Sequence, residues 1–262
     1  MRIATWNVNS IRARLDRVVG WLEATHVDVL AIQETKCRDD QFPGDAFEEL
    51  GYEWAHHGSS QWNGVGVVSR VGIADVATAF PGQPGWAEPA VVEARAIAAT
   101  CGGVRVWSVY VPNGRELGHP HLAYKLDWLA ALRTAGLDWL AADPQAQIAL
   151  MGDWNIAPYD VDVWDMRSFS GSTHVSAPER AGFHALTDAG FVDVVRPYAP
   201  GPGVYTYWDY TRLRFARREG MRIDFCLASP ALATRVSGAA IDREARTGKG
   251  ASDHAPVIVD LD

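Results

Sequence analysis

The stretch "QIALMGDWNIAP", residues 147–158, decides how this chain is read. Ile148 to Met151 have the composition of an interior strand, and the run ends abruptly in Asp153, Trp154 and Asn155. An ionised carboxylate is costly to bury unless something compensates its charge. Asp153 and Asn155 stand two residues apart, so in extended chain both side chains point to the same side.

The same ending recurs on either side of this stretch. "RIATW" runs into Asn7, "VDVLAIQ" into Glu34 and "VRVWSV" into Tyr110, while "MRI" leads into Asp224 of "RIDFCLAS" and Asp253 and His254 precede "PVIVDL". With "GVGVVS" and "VVEARAIAAT" these short β-branched and apolar runs read as strands. Helical spacing is rarer. It follows Ser10, a predicted N-cap, at Ile11, Leu15, Val18, Val19 and Leu22. It recurs at Leu122, Leu126, Leu129, Leu132, Leu137 and Leu140, and in "ERAGFHALTDAG", opened by Pro178 and stopped by Gly190. Many strands with a few helices inserted between them predict an α/β (α+β) chain folded as a four-layered αββα sandwich: two mixed β-sheets packed face to face with helices outside. The Gly- and Pro-rich stretches at 80–90 and 199–203 are too short and too apolar for linkers, so residues 1–262 are expected to form a single domain.

The bulk numbers narrow the function classes. A chain of 262 residues, 48% hydrophobic and 21% charged, supports a large core. No apolar run reaches the roughly 20 residues that span a bilayer, and "MRIATWNVNS" lacks the apolar stretch of a signal peptide, so a cytoplasmic protein with no membrane partner is expected. Cys37, Cys101 and Cys226 lie far apart with no CxxC pair, which points to buried thiols and away from a disulfide framework or a zinc cluster. A net charge of -8 argues against indiscriminate coating of nucleic acid. One local exception, "TRLRFARREGMR", packs Arg212, Arg214, Arg217, Arg218 and Arg222 around Glu219; a solvated charged loop is the plain alternative.

Singly, a polar residue closing a strand is an ordinary turn former. Six together, on strands running the same way through one sandwich, predict a shared site. Glu34, Asp153, Asp224 and Asp253 would repel one another without a cation, and hard oxygen donors with amide neighbours suit Mg²⁺ or Mn²⁺ better than zinc. That donor set fits attack on a phosphate, where a metal screens the anionic ester and helps an alkoxide leave. His254 beside a carboxylate would gain a fixed tautomer and a favoured protonated form.

These blocks, "TWNVNSIRAR", "QETK" at 33–36, "YVPNG" at 110–114, "GDWNIAP", "RIDF" at 222–225 and "SDHAP" at 252–256, occur in an order that resembles the exonuclease III type of bacterial AP endonuclease, within the superfamily of endonucleases, exonucleases and phosphatases. The resemblance spans nearly the whole chain. It implies that Glu34 binds the divalent metal with Asn7 and Asp253 close by, and that Asp153, held by Asn155, orients or deprotonates the attacking water. It also implies that His254, supported by Asp224, and Tyr110 contact the scissile phosphate or the leaving oxygen. The implied partner is double-stranded DNA, cut 5′ of an abasic site to leave a 3′-hydroxyl, with 3′–5′ exonuclease and 3′-phosphatase work on blocked ends; a monomer is expected. A site without its base has less stacking to lose on extrusion. Tyr207 and Trp208 match aromatics that line the pocket for the flipped sugar, which Met221 and Ile223 complete. Lys36 is expected to steady the metal site, and Asn113, Arg115, Arg212 and Arg217 to hold DNA phosphates.

Departures from the family pattern are Ser10, where a glycine is common, Asn9, where some relatives carry an acid, and Met221 in place of a larger aromatic. Deoxyribonuclease I-like nucleases, inositol phosphatases and sphingomyelinases share the Glu, GDxN and SDH core but are not expected to carry "WNVNSIRAR", "YVPNG" and "YTYWDY" together. A catalytically silent DNA-binding relative is the competitor of another class, and no metal or phosphate position is missing to support it.

Overall fold

In the computed structural model, which describes residues 1–262, the chain forms β1 (Arg2–Asn7), α1 (Ile11–Thr25), β2 (Val29–Gln33), α2 (Gly44–Glu48), β3 (Glu53–His57), β4 (Val65–Ser69), β5 (Ala74–Ala77), β6 (Ala96–Cys101) and β7 (Val104–Tyr110). It continues through α3 (Pro120–Ala142), β8 (Ile148–Asp153), α4 (Ala177–Asp188), β9 (Val192–Asp193), α5 (Arg214–Arg217), β10 (Asp224–Ala228), β11 (Val236–Ile241) and β12 (Val257–Leu261). One sheet has the order β11-β12-β1-β2-β4-β3 and the other β5-β6-β7-β8-β10-β9.

Alternation along the strands builds the layers. Ile3, Val29, Val67 and Val259 of the first sheet meet Ile97, Val106, Met151 and Cys226 of the second in the core between the sheets. Their neighbours Ala4, Trp6, Leu30 and Val68 face outward, where Ile11, Val18 and Leu22 of α1 cover them. Trp128, Leu129 and Leu132 of α3, with Phe183 and Leu186 of α4, cover Trp107, Leu150 and Leu227 on the far side. The result is the αββα sandwich. No helix is long and apolar enough to cross a membrane.

Strand direction gathers the polar ends differently from a set of strands all running one way. β1 is parallel to β2 and β7 to β8, whereas β12 is antiparallel to β1 and β10 to β8. One end of the sandwich therefore collects the last residues of four strands and the first residues of two. The register makes Tyr110 and Asp153 direct partners, and likewise Asp153 and Asp224.

Two local readings are corrected. Ser10 occupies the N-cap place of α1, but with φ 89 its side chain makes no cap; instead the amides of Ser10 and Ile11 donate to the carbonyls of Glu34 and Thr35 at 2.7 and 3.1 Å, docking this turn on the end of β2. The strand read from residue 91 begins at Ala96, because Val91 and Val92 are exposed and Val91 pairs only with Trp86.

Candidate active site

At the polar end of the sandwich the interior itself becomes hydrophilic. Gln33 donates to Ser108 Oγ across the sheets at 2.9 Å, and Ser108 donates to the Ile32 carbonyl at 2.8 Å. One layer further out stands Asn7. Its Nδ2 donates to Glu34 Oε1 at 2.8 Å and to Asp153 Oδ2 at 2.9 Å, so a single amide from one sheet links carboxylates from both. Gly152 gives β8 its close approach to β7: a Cβ there would lie 1.9 Å from the Val109 carbonyl oxygen, at φ 150.

Asp153 is the centre of the arrangement. Its Oδ1 accepts from the Asn155 amide at 2.9 Å, its Oδ2 from Asn155 Nδ2 at 3.3 Å, and His254 Nε2 lies 3.8 Å from Oδ2. Burial pushes Asp153 up to about 7, with Asp224 and Glu34 adding to the rise and His254 opposing it. His254 turns Nδ1 to Asp224, 2.9 Å from Oδ2 and 3.1 Å from Oδ1. Burial opposes charge on the ring, but Asp224 and Asp153 outweigh it and hold His254 up to about 10, so the imidazolium is the resting form at neutral pH.

Glu34 is nearly as enclosed. Burial alone would raise it; Lys36, 2.8 Å from Oε2, and the Asn7 amide hold it below the ordinary carboxylate range. Tyr110 is driven well above 10 by burial and by the charge of Glu34, against the opposing Arg95 guanidinium 4.8 Å from its ring, and it therefore keeps its proton. Asn9, Ser10, Glu34, Lys36 and Asn155 all have φ in the left-handed region, which non-glycine residues rarely adopt and which clusters at active sites.

Glu34, Asp153 and His254 offer ligand atoms that all lie within 4.8 Å of one another. The upward push of Asp224 and Glu34 on Asp153 marks a site short of positive charge. Carboxylate and amide oxygens are the donors that a hard divalent cation takes. The residues present thus fit such an ion.

The family model described as "Endonuclease/Exonuclease/phosphatase family" matches residues 4–254. The chain belongs to this family. Exodeoxyribonuclease III of Haemophilus influenzae is 29% identical over 98% of both chains. Among solved structures, the 3′ phosphatase NExo from Neisseria bound to a product DNA hairpin is 38% identical with a TM-score of 0.94, covering 100% of this chain and 99% of that one. An AP endonuclease from Archaeoglobus fulgidus is 33% identical with a TM-score of 0.92, over 100% and 99%. These relatives put the chain among the exonuclease III and AP endonuclease type of phosphodiesterase, a group of hydrolytic nucleases whose members depend on a divalent metal.

Within that family fold, Asn7, Glu34, Tyr110, Asp153, Asn155, Asp224 and His254 come together. Asp253 stands outside the group of ligand atoms within 4.8 Å of one another; its Oδ1 accepts from Asn9 Nδ2 at 3.0 Å, and its charge adds to those that favour the His254 imidazolium. Lys36 bridges Glu34 and Asn9 Oδ1, the latter at 2.5 Å. Asn113 donates to Asn155 Oδ1 at 3.2 Å, and Arg115 lies exposed beside His119 and Trp86.

Tyr207 and Trp208 part company. They are neighbours in extended chain and face opposite ways. Tyr207 lies against His254, ring centroids 4.9 Å apart, and lines a cavity of about 140 Å³ with Trp164, Phe169, Arg214 and Met221. Trp208 is 1% exposed, packed on Tyr205, Ala255 and Phe215, so it supports the wall rather than forming it. Ile223 likewise underlies Met221 in a small apolar cluster and does not line the cavity. The arginines divide too: Arg212 is exposed with no acid holding it, Arg217 pairs with Glu219 at 2.5 Å, and Arg222 is fully buried between Asp162 and Asp193.

Three residues that sequence reading passed over, Lys125, His174 and Glu179, lie directly behind Asn155. Two had signals. Lys125 sits on the apolar stripe of α3 with His121, Trp128, Leu129 and Leu132, and Ser176-x-x-Glu179 is a capping-box spacing before α4. His174, in an irregular loop, had none.

Proposed function

We propose that this chain is a Mg²⁺- or Mn²⁺-dependent DNA repair phosphodiesterase that cleaves duplex DNA 5′ of an abasic site, leaving a 3′-hydroxyl. The observation that carries the reading is the placement of Asp153 between two amides, Asn7 and Asn155, and an imidazolium, His254, that is itself backed by Asp224. Asp153 near neutrality accepts a proton from water, while the amides hold its two oxygens in one orientation. The charged Nε2–H of His254 binds an anionic phosphate oxygen, and the Tyr110 phenol donates a hydrogen bond beside it. Glu34 and Asn7 would hold the cation, with Asp153 alongside. When bound, the ion supplies charge to screen the phosphate and favour departure of the alkoxide. The cavity beside Tyr207 is the place for the extruded sugar, and the free Arg212 guanidinium belongs to the phosphate-binding face. We read the chain as a monomer working in the cytoplasm.

A second reading is favoured by the relative described as a 3′ phosphatase on a DNA hairpin: work at blocked or intact 3′ ends by the same groups. Three duplexes distinguish the two: one with an internal tetrahydrofuran abasic analogue, one with a 3′-phosphate at a nick, and one with an intact 3′ end. Each is incubated with Mg²⁺ and with EDTA, and the product ends are identified. Incision 5′ of the analogue with a 3′-hydroxyl is expected. Metal-dependent cleavage of the other two alone would move the assignment to end processing, and no cleavage of any duplex would refute both.

A further inference from the structure

Behind the catalytic loop lies an ion pair that touches no reacting atom. The side chains of Lys125 on α3 and Glu179 on α4 are 0% exposed and stand 2.5 Å apart. A buried pair of this kind seldom repays its desolvation in stability, so its use is decided by what else it holds.

Lys125 Nζ donates to the carbonyl of Asn155 at 2.6 Å and to that of Asn113 at 3.3 Å. Glu179 Oε1 accepts from the His174 amide at 2.9 Å, and its Oε2 accepts from Ser176 Oγ at 2.5 Å. His174 passes the connection on: its Nε2 lies 3.0 Å from Asn155 Oδ1, and its Nδ1 lies 2.9 Å from Thr173 Oγ1. Nε2 also lies 3.3 Å from Asn113 Nδ2, but that amide donates to Asn155 Oδ1 at 3.2 Å; the shorter contact of Nε2, to the same oxygen, assigns it the ring proton, and Nδ1 accepts from the threonine hydroxyl. Asn155 is thereby held at its carbonyl by the ammonium and at its amide by the imidazole. Asn155 sits at φ 51, in the left-handed region that asparagine tolerates better than most residues, and the two contacts fix its carbonyl and its amide in that conformation.

We propose that Lys125, Glu179 and His174 are positioning residues: the buried pair fixes the backbone of Asn155, the His174 ring fixes its amide, and together they present the Asp153 carboxylate to the attacking water in a single orientation. This rests on the nuclease reading above. Lys125 and His174 also touch Asn113, but the Asn113 amide is itself turned onto Asn155 Oδ1 at 3.2 Å, so the contacts converge on Asn155 and bear on the chemical step more than on the outer DNA-binding surface.

The test compares steady-state cleavage of the abasic duplex by the wild type and three variants. Lys125→Met with Glu179→Gln removes both charges and leaves neither unpaired. His174→Leu removes the ring donor, and His174→Gln offers an amide N–H in its place. We expect kcat to fall about ten- to a hundredfold in the double variant and in His174→Leu, with KM within about twofold and most of the loss recovered by His174→Gln. Thermal unfolding is followed alongside, and if the double variant does not fold the His174 pair decides. Wild-type kcat in His174→Leu, equal losses in His174→Leu and His174→Gln, or a loss confined to KM overturns the proposal. A wild type that cleaves no DNA overturns the nuclease reading first, which is a separate result.

Discussion

The Nδ1 of His254 stands 2.9 Å from Asp224 Oδ2, at the point where the first residue of β10 meets the turn before β12. Asp224 raises the ring's pKa by favouring the imidazolium, and it also fixes which nitrogen faces Asp153. On the proposed reading the active form has His254 protonated and Asp153 ionised. Activity is therefore expected to rise through about 7 as Asp153 loses its proton and to fall as pH approaches about 10, where His254 loses its own. A cation beside Glu34 stabilises the Asp153 carboxylate, so higher Mg²⁺ should shift the acid limb downward. Asp224→Asn should move the alkaline limb toward neutrality. The check is kcat/KM against pH at two Mg²⁺ concentrations, and an alkaline limb unmoved in Asp224→Asn would contradict it.

Asp153 is held in its place at an energetic cost. It is desolvated and faces two other carboxylates. Asp153→Asn keeps its size and removes both the base and the repulsion. Cleavage should fall about a thousandfold or more, while Tm without added metal should be no lower than that of the wild type. Retention of most activity would remove Asp153 from its role.

Ser10 carries a Cβ at φ 89, beside Asn9 at φ 47, and its hydroxyl does not cap α1. Ser10→Gly relieves that strain without removing a contact on which the turn depends, since the docking bonds are made by backbone amides. A stability gain of about 1 kcal/mol is expected, measurable as a raised urea midpoint with unchanged slope.

How far the sequence reached is visible in the sheet order. The eight strands it predicted are the interior ones, and the four it missed, β3, β5, β9 and β11, are the four sheet edges. Interior strands are covered on both faces and read as apolar runs; the edge "ADVA" has three of its four residues exposed and carries no such signature. The site divides likewise. Residues at the ends of apolar runs were legible because a carboxylate there contradicts its surroundings. Lys125 left only the weak signal of its place on an apolar stripe, because a long charged side chain on a helix is ordinarily solvated, and only the partner on another helix makes its burial possible. Trp208 failed for a geometric reason: adjacent aromatics on an extended segment cannot both face one pocket.

Burial also sets a limit in acid. Desolvation holds His56 and His121 down to about 4 and His174 to about 3, against an ordinary value of 6.5. A histidine depressed in the folded state takes up its proton first on unfolding. The contribution of these three rings is thus full above about 6.5 and is lost progressively as pH falls toward 4. Urea midpoints between neutral pH and about pH 5 should decline over that window, and a flat profile would show that these rings charge without opening the fold.

Arg212 and Arg222 lie in one basic run and should respond oppositely. Arg222 is buried, 2.6 Å from Asp193 Oδ2 and 3.7 Å from Asp162 Oδ1; Asp162 keeps Arg196, but Arg222→Ala leaves Asp193 without its cation and should destabilise the chain by about 3 kcal/mol. Arg212 is exposed in the loop beyond Tyr207. Arg212→Ala should leave Tm unchanged, weaken duplex DNA binding independently of sequence, and lower the slope of log affinity against log salt by about 1. Paired salt titrations and melting curves decide the matter: a slope unchanged in Arg212→Ala would return this residue to the solvated surface, and a wild-type Tm in Arg222→Ala would deny the ion pairs their structural role.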